Sequence, residues 1–513
     1  MRAYWALQAA IKGAAAVGRV PEPIRCDESM TQPRGAPDRT GARDECGVFA
    51  IYAPGEDVAR YCYYGLYALQ HRGQESAGIA VSDGDNILIT KEMGLVNQVF
   101  DNGRLAGLNG HQAIGHVRYS TTGASTWDNA QPAFKVSASG RGIALGHNGN
   151  LVDTGPLAAE LGPAGASCTT DSELLTTLLA ERADTHSGPL DDIIIEACSK
   201  ISGAYCLAIM DETTVYGVRD PRGVRPLVLG VLDGGGYVLA SETAALDIVG
   251  ATLLREIQPG ELVAIDATGI RSRRFARPEP SFCVFEYVYL ARPDHRTPET
   301  SVYAARMRMG QLLAEEAPAD ADLVVPVPDS GMAAAAGFSQ RSGIPYAEGL
   351  VKNRYVGRTF IQPSQSLRQL GIRLKLNPLR DVLQGQRLVV VDDSIVRGNT
   401  SRQLVRMLRE CGATEVHLRI PSPPVRHPCF YGIDMATEDE LLASGRTTDE
   451  IRAYLEADSL AYLSLDALVE SSRRPKSSLC RACFDGEYAI PVPQADPADG
   501  RTTLPVLELA AHG

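Results

Sequence analysis

The chain has 513 residues, 44% hydrophobic and 22% charged, which is the composition of a globular protein long enough for about two or three domains. Its formal net charge of −12 argues against general binding of nucleic acid or of an anionic membrane, because an acidic chain repels phosphate at long range. No apolar run reaches the roughly 18 residues of a membrane span, and eleven cysteines are too sparse for a secreted disulfide framework, so a cytoplasmic protein with reduced thiols is expected.

Residues 1–45 are rich in proline, glycine and charge and show almost no hydrophobic periodicity, which predicts a disordered or removed extension. An apolar, β-branched run then begins at Cys46. From there, short strand-like runs such as SAGIAVS and AYCLAIM alternate with glycine-containing turns. Helices are predicted near residues 172–183 and 189–199. Residues 46–280 are therefore predicted to form a strand-rich α+β domain.

The pattern changes at residue 281, after which apolar strands alternate with helices. The strands include DLVVPVPD and RLVVVDD, and the helices lie within TSVYAARMRMGQLLAEEAP, GMAAAAGFSQRSG and TSRQLVRMLRECGA. This alternation predicts a parallel sheet with helices on both faces. We assign this α/β domain to residues 281–475 and a separate C-terminal segment to residues 476–513.

The stretch LVVVDDSIVRGNTS, residues 388–401, predicts a ligand site at the end of a strand. Asp392 and Asp393 end a buried strand, and a polar loop leads from them into a helix. Ligands of open α/β sheets bind at the carboxyl ends of the strands, and a helix N-terminus offers N–H groups to a phosphate. Gly398 lets the backbone approach that phosphate closely. The carboxylates suit ribose hydroxyls or a Mg²⁺ ion.

The same stretch is similar to the signature of the type I phosphoribosyltransferases, which bind phosphoribosyl pyrophosphate (PRPP). The resemblance implies that the two aspartates, with Ser330, hold Mg²⁺ and the ribose diol. VPVPDSG resembles the pyrophosphate loop of that family, and GLVKNRYVGRTFIQPSQSLRQ resembles its mobile flap, whose cations suit a leaving pyrophosphate. The PRPP-binding residues implied by these motifs are Asp329, Ser330, Gly331, Lys352, Arg354, Arg358, Asp392, Asp393, Ser394, Val396, Arg397, Gly398, Asn399, Thr400 and Ser401, with Arg368 as a further flap cation.

Motifs in the N-terminal part resemble the N-terminal-nucleophile glutamine amidotransferases, which fold as an αββα sandwich. They are CGVF, LQHRGQESAGIA, HVRYSTTG, HNGNL and TDSE, in the order of that family. A thiol that attacks a carboxamide needs a base, and the free α-amine of a first residue, with a reference pKa near 8, can serve. A peptide bond before Cys46 removes that amine. We therefore expect residues 1–45 to be a propeptide cut after Glu45.

The resemblance also assigns the other residues of the glutamine site. Arg118 is expected to pair with the α-carboxylate of glutamine, a bidentate task suited to guanidinium. Asp171 is expected to hold the α-ammonium group. Asn148 and the N–H of Gly149 are expected to stabilise the tetrahedral oxyanion that forms when the thiol attacks. Thr121 is expected to line or support the pocket.

Four cysteines in the C-terminal half predict a metal site. LCRACFDG separates Cys480 and Cys483 by two residues, and Cys283 and Cys429 complete a set of four. The spacing alone leaves a Cys₄ zinc site and an iron–sulfur cluster equally open, with a C-x-x-C redox pair as a third reading. Resemblance to a cluster-bearing branch of amidotransferases implies one [4Fe–4S] cluster.

The two halves in this order resemble the glutamine PRPP amidotransferase family over about residues 46–490. The reaction implied is hydrolysis of glutamine to glutamate and ammonia, after which ammonia displaces pyrophosphate from PRPP. The product is 5-phosphoribosylamine, the first committed intermediate of de novo purine (IMP) synthesis. The resemblance further implies feedback by purine nucleotides and a homotetramer. His295 departs from the family pattern, which has a small hydroxyl residue there.

Two other functions share part of these motifs. A hexosamine-forming amidotransferase shares the glutaminase half, but it carries sugar-phosphate isomerase domains and lacks the PRPP signature. A non-catalytic PRPP-sensing regulator would keep the ligand site, yet it would not need Cys46, Asn148 and Asp171 together. Such a regulator usually carries a basic DNA-binding module, and this acidic chain shows no clear helix-turn-helix.

Overall fold

The computed structural model describes residues 46–119, 124–185, 188–353, 375–433, 435 and 437–492. Within these residues, the N-terminal part forms two antiparallel sheets. The strands of the first sheet are β1 (Gly47–Tyr52), β2 (Ser76–Ser82), β3 (Ile87–Met93), β4 (Gln112–Arg118), β9 (Val228–Leu232), β10 (Tyr237–Ala240) and β11 (Ala251–Glu256). Their order is β11-β9-β10-β1-β4-β2-β3, which places β1 in the middle.

The second sheet lies against the first. Its strands are β5 (Ala133–Val136), β6 (Gly142–Asp153), β7 (Ser202–Met210), β8 (Val215–Arg219), β12 (Glu261–Asp266) and β13 (Gly269–Arg274). Their order is β13-β12-β8-β7-β6-β5. An apolar cluster between the sheets joins Val48 and Ile114 of the first to Cys206 and Val263 of the second. Such face-to-face burial of alternate side chains is the core of a β-sandwich.

Helices cover the outer face of each sheet, as the αββα prediction requires. The first sheet is covered by α1 (Val58–Ala68), α2 (Val96–Val99), α3 (Asn102–Ala106) and α8 (Thr243–Ile248). The second is covered by α4 (Gly155–Leu161), α6 (Asp171–Thr185) and α7 (Leu190–Lys200), with the short α5 (Pro163–Ser167) between α4 and α6. The αββα fold class is confirmed, and it sets the ends of β1, β4 and β6 beside the start of α6.

The C-terminal part is built on a four-stranded parallel sheet in the order β15 (Leu323–Pro326), β18 (Arg387–Val391), β19 (Glu415–Ile420) and β20 (Ser459–Tyr462). Side chains of β18 alternate between two apolar clusters. Val389 and Val391 join the cluster of α9 (Val302–Glu316) and α10 (Met332–Ser342), whereas Leu388 and Val390 join that of α12 (Asn399–Glu410). The predicted parallel sheet with helices on both faces is therefore confirmed.

Shorter elements complete the described chain. They are β16 (Leu350–Lys352) paired with β17 (Leu376–Pro378), α11 (Arg380–Leu383), α13 (Thr448–Leu455), α14 (Leu465–Ser472), α15 (Ala482–Asp485) and the 3₁₀ turns Glu438–Glu440 and Lys476–Ser478. At the junction, β14 (Phe282–Cys283) pairs in parallel with β21 (Leu479–Cys480), and a π-helix, Glu286–Leu290, follows β14.

Among the described residues, no helix combines the length and the apolar character that a membrane crossing requires.

Candidate active site

The predicted nucleophile lies at the entrance of the central strand β1. Cys46 directly precedes β1, and the pairing of Gly47 with Val117 sets it beside the end of β4, where Arg118 lies. Its thiol is 6% exposed, and Sγ donates to the carbonyl oxygen of Tyr119 at 3.4 Å. A reactive group at a strand end, held by both neighbours, is well placed to meet a bound substrate.

A small pocket opens in front of this thiol, and it collects most of the predicted glutamine site. Of the predicted residues, Cys46, Arg118, Gly149 and Asp171 line it. Sequence reasoning gave no role to the other lining residues, which are Tyr119, Gln131, His147, Thr170 and Ser172. Four of these five flank a predicted residue in the motifs HVRYSTTG, HNGNL and TDSE, so the motifs held the signal. Thr121 lies outside the described residues.

Asp171 presents a negative charge inside this pocket. Burial alone would raise its pKa, but His147 Nδ1 at 3.4 Å from the carboxylate and the N–H groups of Leu151 and Ser172 lower the pKa to about 2. The carboxylate is therefore ionised at neutral pH. An ionised, largely buried carboxylate is a suitable partner for the α-ammonium of an amino acid.

The two predicted oxyanion residues are placed differently. Gly149 lines the pocket with a φ of +138°, and a Cβ there would stand 2.0 Å from the carbonyl oxygen of Ala204, so only glycine fits. Asn148 is fully buried behind the pocket surface, with Nδ2 3.5 Å from Ser241 Oγ. Its Oδ1 has no hydrogen-bond partner among the described residues. Gly149 therefore faces the pocket whereas Asn148 does not line it, and the oxyanion roles of both residues stay predictions.

A buried ionic network supports Cys46 from behind. Arg72, 1% exposed, donates through Nε to the carbonyl oxygen of Cys46 at 3.3 Å. Its Nη1 and Nη2 contact Glu242 at 2.5 Å and Glu286 at 2.7 Å, and both carboxylates are buried. Burial would raise the pKa of Glu242, but His71 and Arg72 hold it well below its usual range. The network therefore fixes the backbone of the nucleophile with charged groups that compensate one another.

His295, the departure from the family pattern, has a structural role. It is 1% exposed, and its Nδ1 accepts a hydrogen bond from the backbone N–H of Thr243 at 3.1 Å. That N–H belongs to the first residue of α8, where no intrahelical acceptor exists. Burial lowers the pKa of His295, so the neutral ring that can accept this bond is the favoured form.

The second predicted site forms at the end of β18. Asp392 and Asp393 follow Val391 directly, and Gly398, with a φ of +75°, precedes the first residue of α12. Burial and the charge of Asp393 raise the pKa of Asp392 well above its usual range. Burial also raises the pKa of Asp393, against the lowering effect of Ser330 and Ser394. Adjacent carboxylates with raised pKa values, one buried and one half-buried, fit a divalent cation, because such a cation prefers hard oxygen ligands and would relieve their repulsion.

The predicted pyrophosphate loop meets these aspartates. A Cβ on Gly331 would stand 2.4 Å from the carbonyl oxygen of Val391, so glycine permits this close approach. Ser330 contacts Asp393 through its side chain. Asp329 forms an ion pair with Lys352 Nζ at 2.6 Å, and the Pro328–Asp329 peptide is cis. The structure therefore brings two separate motifs to one edge of the parallel sheet, as the sequence predicted.

Some residues of the phosphate motif use their side chains elsewhere. Arg397 Nη2 pairs with Glu440 at 2.7 Å, and Asn399 Oδ1 accepts from the hydroxyl of Tyr454 at 3.0 Å. Val396 is 3% exposed and its carbonyl accepts from Leu442 N. Their contribution to a phosphate site would come from the loop backbone, which is how a helix N-terminus binds an anion. Arg354, Arg358 and Arg368 lie outside the described residues, and Thr400 and Ser401 occupy the first turn of α12.

The four predicted ligand cysteines lie together at the junction of the two parts. Cys283 stands opposite Cys480 in the β14–β21 pair, and burial raises the pKa of Cys480 to about 12. Burial, and then the neighbouring thiols of Cys283, Cys429 and Cys480, raise the pKa of Cys483 well above its usual range. In the part of the chain that the structure describes, no group of three or more His, Cys, Asp or Glu side chains is arranged around a single ion.

Four thiols are the donor set of both a Cys₄ zinc ion and a [4Fe–4S] cluster, and the cluster stays a prediction. The ligands of one zinc ion share an atom at about 2.3 Å, whereas the four thiolates of a [4Fe–4S] cluster bind different irons and stand further apart. Cys283, Cys480 and Cys483 are buried and Cys429 is half-buried, and the effect of the other three thiols on the pKa of Cys483 indicates that the four lie near one another. The remaining described cysteines, Cys62, Cys168, Cys198, Cys206 and Cys411, are buried outside both sites.

Comparisons with known proteins match a domain family to each half of the chain. Residues 116–247 match the family described as glutamine amidotransferase domain, and residues 301–421 match the phosphoribosyl transferase domain. An amidophosphoribosyltransferase of Mycobacterium tuberculosis is 56% identical over 95% of this chain and 94% of its own length. One of Synechococcus elongatus is 54% identical over 92% of this chain and 96% of its own.

A solved structure shares the whole described architecture. The glutamine PRPP amidotransferase of Bacillus subtilis, complexed with ADP and GMP, superposes with a TM-score of 0.82 at 46% identity. The match covers 88% of this chain and 98% of that chain. The similarity therefore extends over both halves in the same order.

Proposed function

The chain belongs to the amidophosphoribosyltransferase family, and from this membership we propose how its two sites divide the reaction. It is a glutamine PRPP amidotransferase of purine biosynthesis. The observation that carries the proposal is that Cys46, Arg118, Gly149 and Asp171 line one pocket, as the sequence predicted for the glutamine site.

The glutaminase half breaks the carboxamide bond. Arg118 and Asp171 bind the α-carboxylate and α-ammonium, which aims the side-chain amide at Cys46. The thiolate attacks the carbonyl carbon, and the N–H of Gly149 stabilises the oxyanion. Collapse of the tetrahedral intermediate expels ammonia and leaves a thioester, which water hydrolyses to glutamate. The α-amine of Cys46 serves as the base that takes the thiol proton and passes it to the leaving nitrogen.

The phosphoribosyltransferase half uses the ammonia. We assign Asp392 and Asp393 to the ribose diol, the backbone of residues 396–401 to the 5′-phosphate, and Lys352 with the residues at 329–331 to the pyrophosphate. Mg²⁺, when bound by the two aspartates and Ser330, supplies positive charge to the departing pyrophosphate. Ammonia is mostly protonated in neutral water and then lacks a lone pair, so direct transfer between the sites preserves the nucleophile.

The free α-amine requires that residues 1–45 be removed. We propose cleavage after Glu45, because the amide nitrogen of an uncut peptide bond is not basic. Cys46 directly precedes β1, so it can become the first residue without disturbing a described element. This part of the chain precedes the described residues.

Further expectations follow from the family. We propose one [4Fe–4S] cluster on Cys283, Cys429, Cys480 and Cys483, with a structural role at the junction. The Bacillus subtilis relative was solved with ADP and GMP, and we extend regulation by purine nucleotides to this chain. A homotetramer in the cytoplasm completes the proposal.

The first test is the intact mass and N-terminal sequence of protein purified without air. A chain that begins at Cys46 and carries four irons and four sulfides would support the nucleophile and the cluster together. A chain that keeps residues before Cys46 and still hydrolyses glutamine at full rate would contradict the free-amine mechanism. Assay of 5-phosphoribosylamine formation from glutamine and from ammonium salt then separates the two half-reactions.

A further inference from the structure

The loop after the predicted cluster ligand Cys429 touches the glutaminase site. A Cβ on Gly432 would stand 3.1 Å from the carbonyl carbon and from Cα of Gly149, and 3.3 Å from its oxygen. The carbonyl oxygen of Phe430 accepts a hydrogen bond from Asn150 Nδ2 at 3.1 Å. These two contacts bracket the backbone that carries the oxyanion donor.

The loop is itself held firmly. Arg225, which is fully buried, donates through Nε and Nη2 to the carbonyl oxygen of Tyr431 at 3.3 and 2.8 Å. The Tyr431 hydroxyl bonds to both the N–H and the carbonyl oxygen of Ile490, and the Tyr431 N–H donates to Cys429 Sγ at 3.4 Å. Arg225 also lies 3.5 Å from Glu286 of the network behind the nucleophile. A loop that is anchored by buried hydrogen bonds can hold the residues that it contacts in a fixed position.

We propose that residues 430–432 position Gly149, so that the loop of a cluster ligand sets the geometry of the glutaminase oxyanion site. The proposal rests on the function given above. Gly149 already contacts Ala204, whose carbonyl oxygen would stand 2.0 Å from a Cβ on Gly149. Because β7 and the loop both pack against Gly149, the orientation of its N–H is restricted. Gly432 is a positioning residue, since it would act on the reaction only through Gly149.

The effect of disturbing this contact is specific to the transition state. An oxyanion donor acts on charge that develops during attack and contributes little to the binding of the neutral amide. A Cβ at 3.1 Å forces its neighbour to move by a few tenths of an ångström. Misplacement on this scale lowers kcat and leaves KM for glutamine near its original value. It leaves the PRPP site, at the far end of β18, unchanged.

The test is Gly432→Ala in the full chain, with Gly269→Ala as the matched control. Gly432 has a φ of +111° and Gly269 a φ of +103°, so alanine strains both backbones alike, but no atom lies within 4 Å of the Cβ position at residue 269. We expect glutamine-dependent kcat to fall about tenfold in Gly432→Ala, with ammonia-dependent synthesis and iron content unchanged. Gly269→Ala should match the parent protein in all of these measurements.

A second variant and a second readout keep the test decisive if Gly432→Ala folds poorly. Asn150→Ala removes the hydrogen bond to Phe430 without adding volume or strain, and kcat with glutamine should again fall while ammonia-dependent synthesis does not. Hydrogen exchange of the backbone at residues 147–151 should rise in Gly432→Ala and not in Gly269→Ala.

Three outcomes are informative. An unchanged glutamine kcat in both Gly432→Ala and Asn150→Ala overturns the positioning role. An equal fall of glutamine- and ammonia-dependent rates also overturns it, since it indicates a general loss of structure. Absence of glutamine-dependent synthesis in the parent protein would instead refute the proposed function itself.

Discussion

Asp171, which is buried, and Asp392, which is half-buried, are carboxylates of the two sites, and their pKa values move in opposite directions. At Asp171 the effect of burial is outweighed by His147 and two backbone N–H groups, which lower its pKa to about 2. At Asp392 burial and the charge of Asp393 act together, and the pKa rises well above its usual range. The charge of Asp171 is therefore compensated by neighbouring groups of the chain, whereas at Asp392 and Asp393 the compensation would come from the Mg²⁺ ion that we propose there.

Cys46→Ser should separate the two sites most sharply. A hydroxyl is a much weaker nucleophile than a thiolate, so glutamine-dependent synthesis should fall by about 1,000-fold or more. Ammonia-dependent synthesis should stay near the parent value, because no PRPP residue is touched. Steady-state assays with the two nitrogen sources measure both, and Cys411→Ala, another buried thiol, is the control. A parallel loss of both activities would contradict the separation.

Arg72→Met should show how much the buried ionic network behind Cys46 contributes to the free energy of unfolding. The substitution removes the cation that Glu242 and Glu286 share and leaves both carboxylates buried, which costs about 3–5 kcal/mol of unfolding free energy. Arg60→Met removes an exposed partner of Asp57 and should destabilise the protein much less, because solvent screens that pair. Chemical denaturation of both variants gives these values. Equal destabilisation would mean that the buried network contributes no more than a surface pair.

Asp171→Asn should weaken glutamine binding and leave PRPP binding intact. Loss of a charged hydrogen bond of about 1.5–3 kcal/mol corresponds to a rise in KM for glutamine of about 10- to 100-fold. Asp392→Asn is the mirror experiment, in which KM for PRPP rises and KM for glutamine does not. Initial-rate kinetics with each substrate varied in turn distinguish the two. If KM rises for both glutamine and PRPP in each variant, then the two aspartates do not act on separate substrates.

The smallest expected effect concerns pH. The folded pKa values of Asp392 and Asp393 are raised, so the native state binds more protons than the unfolded state at mildly acidic pH. Without Mg²⁺, stability from this pair should therefore fall as pH rises from about 5, above the unfolded pKa of an aspartate, into the neutral range. Asp171 adds no slope there, because its folded pKa of about 2 and its unfolded value both lie lower.

Thermal unfolding in chelator and in excess Mg²⁺, at both ends of that pH window, measures this contribution. Mg²⁺ should stabilise the protein more at the higher pH, where the pair is ionised. Asp392→Asn should reduce both the pH slope in chelator and the response to Mg²⁺. If the variant keeps the full response, then these aspartates do not hold the cation.

The sequence predicted those features whose residues follow one another in the chain. The strand, loop and helix around residues 388–401 are continuous in the chain, and their order alone indicates an anion site. The motif residues Arg118, Gly149 and Asp171 were assigned by resemblance, and the fold brings them into one pocket. The strand, loop and helix form in the expected order because each motif carries its own backbone geometry, whereas the ligands of both sites stay a proposal.

Partnerships between distant residues could not be predicted in this way. Nothing in the sequence links Arg72 to Glu242 and Glu286, since isolated acidic residues are common and their partners are set by the packing of the two parts. Likewise, Arg397 pairs with Glu440. The helix α1 was also missed: its run VARYCYYGLYA is rich in aromatic and β-forming residues, yet burial of Val58, Cys62 and Leu66 on one face stabilises a helix.

The pairing of β14 with β21 has a consequence for how the protein is made. Cys283 is synthesised long before Cys480 and Cys483, yet it stands opposite Cys480 in a parallel pair that closes the junction. On the ribosome, the sheets of the N-terminal part can form while the rest is still being translated, because domains generally fold as units during synthesis. The four thiols meet only after residue 483 has left the exit tunnel. Delivery of iron and sulfide to the cluster that we propose is therefore a late, post-translational event, and a nascent chain truncated before residue 479 should already hold a folded sandwich without a metal site.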